Sequence, residues 1–432
     1  MIIRFYCLID FFSIIFYGKK VFKFERQTKI PLLLGGEFKK ATFMNQKYPL
    51  LYLIIFLGVF LFATFFIFIS WQKTNFVQSD LVFAENNSNF ILQKNIIAHR
   101  PPPYVFVPGQ KPPKQVIKGL YLTAYSAGSP KILDNIINLI NSTELNAVVI
   151  DVKDYSGKVL YDSNLELVNE FALESNRLGD VEELIKKLHE HDIYVIARQT
   201  VFQDPILAEK KPEWSFKSKN GGLWRDNKGL AWVDASKEDV WQYDLAIAKE
   251  VIGFGFDEIN FDYVRFPTDG HMSLLVYDNG DKEKSEVMHD FFVFLNENLA
   301  ESSAYISLDL FGFAMERHDG MGIGQRLEDA VDEVDYICPM MYPSHYPVGH
   351  LGFANPADHP AEVIENGMKK GLPYFEDTKA QVRPWIQDFN IGAVYDANKI
   401  RAQIDMVEKY TDAGWMLWNA ANRYSMAGLR LE

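Results

Sequence analysis

Two kinds of hydrophobic pattern divide the chain. Residues 49–69 (PLLYLIIFLGVFLFATFFIFI) form one apolar run of about 21 residues without a charge, long enough to cross a bilayer as a helix. From Lys118 onward, short runs rich in Val, Ile, Tyr and Phe alternate with stretches whose apolar residues recur every three or four positions. The short runs predict eight strands, at 119–124, 147–152, 194–201, 258–265, 305–311, 336–341, 382–388 and 415–419. Helical periodicity fills the intervals at 130–141, 181–191, 237–252, 284–301, 325–333, 360–370 and 397–410. Strands alternating with helices predict a (β/α)8 TIM barrel over 118–432, its last helix short or missing because little chain follows strand eight. A doubly wound open sheet is the alternative, although no G-x-G-x-x-G or Walker pattern opens its first unit.

The strand at 255–267 (GFDEINFDYVRFP) carries the clearest chemical signal. Alternation puts Ile259, Phe261 and Tyr263 on one face and Glu258, Asn260 and Asp262 on the other. Inside a closed barrel the polar face lines the interior, and its last member, Asp262, reaches the carboxyl end, where barrel enzymes keep their catalytic groups. The bland reading, inward polar residues that only bond one another, has equal weight for Glu258 and Asn260.

Charge and composition add a membrane-side architecture. Residues 1–117 hold 14 Lys and Arg against 5 Asp and Glu, leaving 30 against 52 in the remainder, a balance of −22. An acidic globular part with no basic patch argues against a nucleic-acid partner. Lys39, Lys40 and Lys47 precede the apolar run, so the positive-inside rule places the amino end in the cytoplasm and the barrel outside. The expected layout is a basic segment at 1–48, a signal anchor at 49–70, a Pro- and Asn-rich linker at 71–117 and the barrel at 118–432. Met44 makes a conventional anchor start, which would leave 1–43 outside the native chain; the other option is a further membrane-associated segment at 2–17. A cleaved signal peptide is disfavoured by the length of the apolar core. Cys7 and Cys338 cannot bridge within the outer domain, and Cys338 reads as a packed core residue.

Acids and aromatics gather at the strand ends: Asp151 and Asp154, Arg198, Asp262 and Arg265, Asp309, Tyr342 and His345, Trp385, then Trp418 and Asn419. This is the palette of a carbohydrate enzyme, in which aromatic faces stack on sugars and two carboxylates flank the glycosidic bond. Asp262 and Asp309 fall on neighbouring strands and are the catalytic candidates; Glu316 and Asp335 are the reserve acids. Asp151, Arg198, Arg265, Tyr342, His345, Trp385, Trp418 and Asn419 are the substrate-binding candidates. The long insertion at 202–234 carries Trp214, Trp224 and Trp232, which either form a flat ligand surface or pin the loop to the barrel. Metal chemistry is the competing class, through Asp151, Asp154 and Asp262; the only H-x-H, His189 to His191, closes a helix at the wrong end of the barrel and reads as structural. No G-x-S-x-G is present, and neither metal nor cofactor is expected.

The strings VIAR at 195–198 and VFQDP at 201–205, the strand at 255–267, and CPMMYPSHY at 338–346 resemble the bacterial glycoside hydrolase domain family DUF4015, over about 118–423. The resemblance implies a glycosidase barrel related to amylase-type enzymes, with the acid ending strand four, here Asp262, as nucleophile. Such enzymes usually place a glutamate acid on strand five, where this chain has Asp309. The expected function is therefore a membrane-anchored glycoside hydrolase acting on an envelope or extracellular polysaccharide. A glycan-binding barrel without catalysis, serving as an envelope scaffold, is the alternative.

Overall fold

The computed structural model describes residues 110–432, so the apolar run at 49–69 and most of the linker lie outside the described residues. Among the described residues no helix is long and apolar enough to cross a membrane. Eight parallel strands close into a barrel: β1 (Ile117–Leu122), β2 (Ala147–Lys153), β3 (Tyr194–Thr200), β4 (Glu258–Asp262), β5 (Tyr305–Phe311), β6 (Tyr336–Met340), β7 (Trp385–Gln387) and β8 (Gly414–Trp418). Each pairs with its neighbours in chain order, β8 returns to β1 through Ile117 opposite Gly414, and Trp385 opposite Met340 joins β6 to β7.

Among the described residues, six helices of nine residues or more cover the outside: α1 (Pro130–Asn141), α2 (Val181–His189), α3 (Glu238–Phe254), α4 (Lys284–Leu299), α5 (Pro360–Gly371) and α6 (Ala397–Glu408). Their starts are written in the sequence. Asp180 and Asp396 accept from the N–H groups of Glu183 and Lys399, and Glu283 with Glu286 forms a capping box. α3 stops where Gly255 adopts φ 104°, a left-handed geometry that glycine alone takes without cost.

Alternation along the strands sorts two cores. Leu120, Val148, Ile150, Val195, Ile259, Phe261, Leu308 and Ile337 pack outward against the helices. Tyr121, Val149, Ile196, Cys338, Trp385 and Met416 fill the barrel interior. At the amino-terminal end the interior is ionic: Arg383 pairs with Glu258, which also accepts from Ser307 Oγ (2.5 Å) and Tyr194 OH (3.2 Å). Residues 111–114 cross this end as a strap. Tyr305 OH donates to the Pro112 carbonyl at 2.6 Å, Lys111 meets Asp335 at 3.4 Å, and Lys114 lies over the Tyr336 ring.

Three expected elements change substantially, and the insertion takes one of its two open readings. β4 ends at Asp262, not Arg265, because Tyr263 sits at φ 56° and leaves the ladder. Strand seven breaks into Gln381–Val382 and Trp385–Gln387, since Pro384 cannot donate and Arg383 turns inward to Glu258. The helix expected at 325–333 shrinks to one turn, Leu327–Asp329: Gln325 uses its amide to bond Phe311 N and Val264 O, and Arg326 stays extended. Trp224 and Trp232 of the insertion are buried, with indole N–H groups on His271 O and Asp226; they pin the loop and offer no flat surface.

Candidate active site

Three carboxylates meet one guanidinium at the carboxyl end of the barrel. Arg198, from β3, donates through Nη1 to Asp151 of β2 at 2.5 Å and through Nη2 to Asp262 of β4. Its Nε lies 3.7 Å from Asp309 of β5. All four side chains are buried to within a tenth of their surface. The strands bring them together because inward positions recur every second residue and Phe261 pairs with Leu308, which sets Asp262 and Asp309 at one level on adjacent strands.

Further donors fix the acids. Tyr121 OH reaches Asp151 at 2.5 Å; Asn260 Nδ2 and Trp385 Nε1 reach the same oxygen of Asp309 at 2.9 and 2.7 Å. Asp262 accepts from the N–H of Tyr263 at 2.5 Å. That bond accompanies the left-handed backbone of Tyr263, which costs on the order of 1–2 kcal/mol in a residue with a Cβ, strain of the kind that collects at functional sites.

One cation cannot balance three acids, so a proton is retained. Burial, then the charge of Asp262, pushes Asp309 up to about 8, against the pull of Arg198, Asn260 and Trp385. Asp151 is also raised by burial, although Arg198 and Tyr121 oppose the rise. Burial alone would lower Arg198, but Asp262 and Asp151 hold it well above its ordinary value. The site thus pairs a carboxyl that keeps its proton at neutral pH with a carboxylate in contact with a guanidinium. A protonated donor beside an anionic partner is what acid-assisted displacement at an acetal carbon needs.

An aromatic wall stands beside the acids. Trp418 stacks on Tyr121 with ring centres 4.0 Å apart, and the Arg198 guanidinium is 5.1 Å from the Trp418 ring. Tyr342 lies 6.4 Å from Trp418 and 5.6 Å from Phe389. His345 is exposed, set edge-on to Tyr342 and Phe389 with its Nδ1 3.1 Å from Ser344 Oγ, and partial desolvation by these neighbours lowers its pKa.

Other candidates fall elsewhere. Trp385, expected as a stacking face, is fully buried and holds Asp309 instead. Arg265 lies among the rings of Trp232, Tyr263 and Phe311 and donates to Phe266 O at 3.1 Å, bracing the insertion behind β4. Asn419 donates to Asp388 O and Arg423 O at 2.6 and 2.9 Å and so ties the turn after β8. Of the reserve acids, Glu316 bonds Asn366 and Lys370, while Asp335 belongs to the strapped end, bonded to Ile306 N. Asp154 turns to Ser156, and Arg198 occupies the place between Asp151 and Asp262 that a cation would need. His189 pairs with Asp257 at 3.0 Å, in line with a structural role. The reading of strand ends missed Tyr121 and Tyr424. Tyr121 was legible as an inward position of β1; Tyr424, whose hydroxyl donates to Tyr121 O at 2.7 Å, lies in irregular chain with no pattern to expose it.

The chain belongs to the family DUF4015, described as "Putative glycosyl hydrolase domain", whose model matches residues 119–424. This membership makes the barrel a glycosidase by family. A hypothetical protein from Ruminiclostridium thermocellum ATCC 27405 is 40% identical over 47% of this chain and 98% of its own, with a TM-score of 0.42. The PgaB (BpsB) glycoside hydrolase domain from Bordetella bronchiseptica is 12% identical over 71% of this chain and 95% of its own; its TM-score of 0.51 shows a shared fold. No protein of curated function matches the chain.

Proposed function

We propose that this glycosidase uses Asp262 as nucleophile and Asp309 as general acid, acting on a polysaccharide of the cell envelope or its surroundings. The observation that carries the reading is the shared arginine: Arg198 contacts Asp262 directly, while Asp309, more fully shielded from solvent and raised to about 8, keeps the proton. In the first step Asp309 gives its proton to the leaving oxygen as Asp262 bonds the anomeric carbon. In the second, ionised Asp309 takes a proton from water, which displaces Asp262. Adjacent strands about 4.8 Å apart suit the ~5–5.5 Å separation of a retaining pair. Arg198 offsets the charge of Asp262, and that of Asp309 once its proton has left, and the half-buried Trp418, backed by the buried Tyr342, offers a face for the sugar.

The apolar run at 49–69, with Lys39, Lys40 and Lys47 before it, would tether the barrel outside the cytoplasmic membrane. The test is to incubate the full chain with a panel of envelope polysaccharides and read released sugars by mass spectrometry, with Asp262→Asn as control. Release by the wild type alone is the expected result. Retention of a glycan with no release by either protein would instead favour the binding scaffold.

A further inference from the structure

The turn after β2 holds one aromatic ring out into solvent on an unusually firm support. Tyr155 is 61% exposed, and among the described residues no ring or cation packs on its face. Its backbone is fixed from three sides. Lys153 and Val159 pair across the base of the turn, Asp154 Oδ1 accepts from Ser156 N and Oγ at 2.9 and 2.6 Å, and Gln203 donates to the Tyr155 carbonyl at 3.3 Å. Below, buried Lys153 bonds Asp204 at 2.8 Å and Asp244 at 3.0 Å, tying the turn to the insertion and to α3. Gly157, at φ 83°, lets the turn press so closely that a Cβ would stand 2.0 Å from Asp204. A second ring, Tyr125, follows β1 and is 60% exposed, with the Arg177 guanidinium 4.8 Å from its centre.

These two rings continue a series. Going round the barrel, β7, β8, β1 and β2 are consecutive neighbours, and each carries at or after its end an aromatic that is at least partly exposed: Phe389, Trp418 (the last residue of β8), Tyr125 and Tyr155. At about 4.8 Å per strand the arc runs on the order of 15 Å, a few sugar rings long. A ring held rigid before binding loses little entropy when a sugar stacks on it, which is the reason to mount tyrosine on a braced turn. The barrel's acid surplus repels anionic polymers.

We propose that Tyr155 and Tyr125 are distal sugar-stacking subsites, and that the arc they complete seats an uncharged, linear polysaccharide that is cut within its length. This rests on the glycosidase reading of the acid cluster.

The test uses the full chain and reducing-end-labelled cello-, malto-, xylo- and chito-oligosaccharides from disaccharide to octasaccharide, with the parent polymers. On the substrate that is turned over, wild-type kcat/KM should climb with chain length and yield internal fragments. Tyr155→Ala should lose about tenfold on the octasaccharide relative to the trisaccharide, and Tyr155→Phe should keep the climb. In affinity electrophoresis Asp262→Asn should still be retarded by the same polymer, and the double variant with Tyr155→Ala less so. An equal loss at every length, no loss at any, or release of terminal units alone would overturn the subsites while leaving the glycosidase intact. If the wild type neither cuts nor is retarded by any member, while carboxylated polymers are cut, only the uncharged chain class falls; if nothing at all is cut or bound, the parent reading falls and this one with it.

Discussion

The indole Nε1 of Trp385 donates to Oδ1 of Asp309 at 2.7 Å, a bond that reaches from β7 to β5 past the intervening β6. It joins the carboxyl that retains a proton to a fully buried ring with no freedom to turn. Trp385→Phe would remove the donor while keeping most of the volume. Because that hydrogen bond lowers the Asp309 pKa, its loss should move the alkaline limb of the pH–rate profile to higher pH and reduce kcat. An unmoved limb would show that the bond does not govern the proton.

Replacing each acid should give different kinetic signatures. Asp262→Asn is expected to abolish turnover while glycan binding largely remains. Asp309→Asn should cost on the order of a hundredfold to ten-thousandfold on poor leaving groups and far less on activated aryl glycosides, which need no proton. Equal losses on both kinds of substrate would remove Asp309 from the acid role.

Stability should carry the same proton in reverse. The folded-state pKa of Asp309, about 8, lies above the ordinary carboxylate value. The folded chain therefore binds more protons than the unfolded one between roughly pH 4 and 8, and stability falls as pH rises through that window. Asp309→Asn should melt several degrees above the wild type at pH 8 and together with it near pH 4. Circular dichroism melts at the two pH values check both arms.

The strap sets where a soluble domain must begin. A domain cut at Gln115 loses the Pro112 acceptor of Tyr305 and the Lys111 partner of Asp335. It should melt a few degrees below one cut at Gln110, since a buried hydrogen bond is worth about 1 kcal/mol. Equal melting temperatures would show that the strap contributes nothing.

The proposed tether is tested separately. Leu57→Arg places a charge at the centre of the apolar run, at an insertion cost of about 2.5–3.5 kcal/mol. The membrane fraction of the full chain should fall on carbonate washing, whereas an unchanged yield would count against a span.

Particular residues show what the sequence could convey. Asp151, Arg198, Asp262 and Asp309 were legible as a group because each sits at an inward, strand-end position, and the period of two survives in a closed barrel. Trp385 was misread because a strand-end aromatic looks the same in sequence whether its ring faces the cleft or lies beneath an acid. The same limit applies to Arg265, whose partners come from the insertion, from its own strand end and from β5. Periodicity over 325–333 suggested a helix, yet the Gln325 side chain bonds two strand ends and keeps the backbone extended. Contacts between segments far apart in the chain decide such cases, and local pattern does not report them.

The strap at the barrel floor also has a mechanical side. A pull on the chain ahead of Lys111 would meet the barrel at this floor, where the Tyr305 hydroxyl and Asp335 hold residues 111 and 112. The carboxyl-end acids sit a strand's length away, about 15–20 Å for five or six residues. Load would be spread through parallel ladders before it reached Arg198, so the spacing of the acids is insulated from tension on the leading segment.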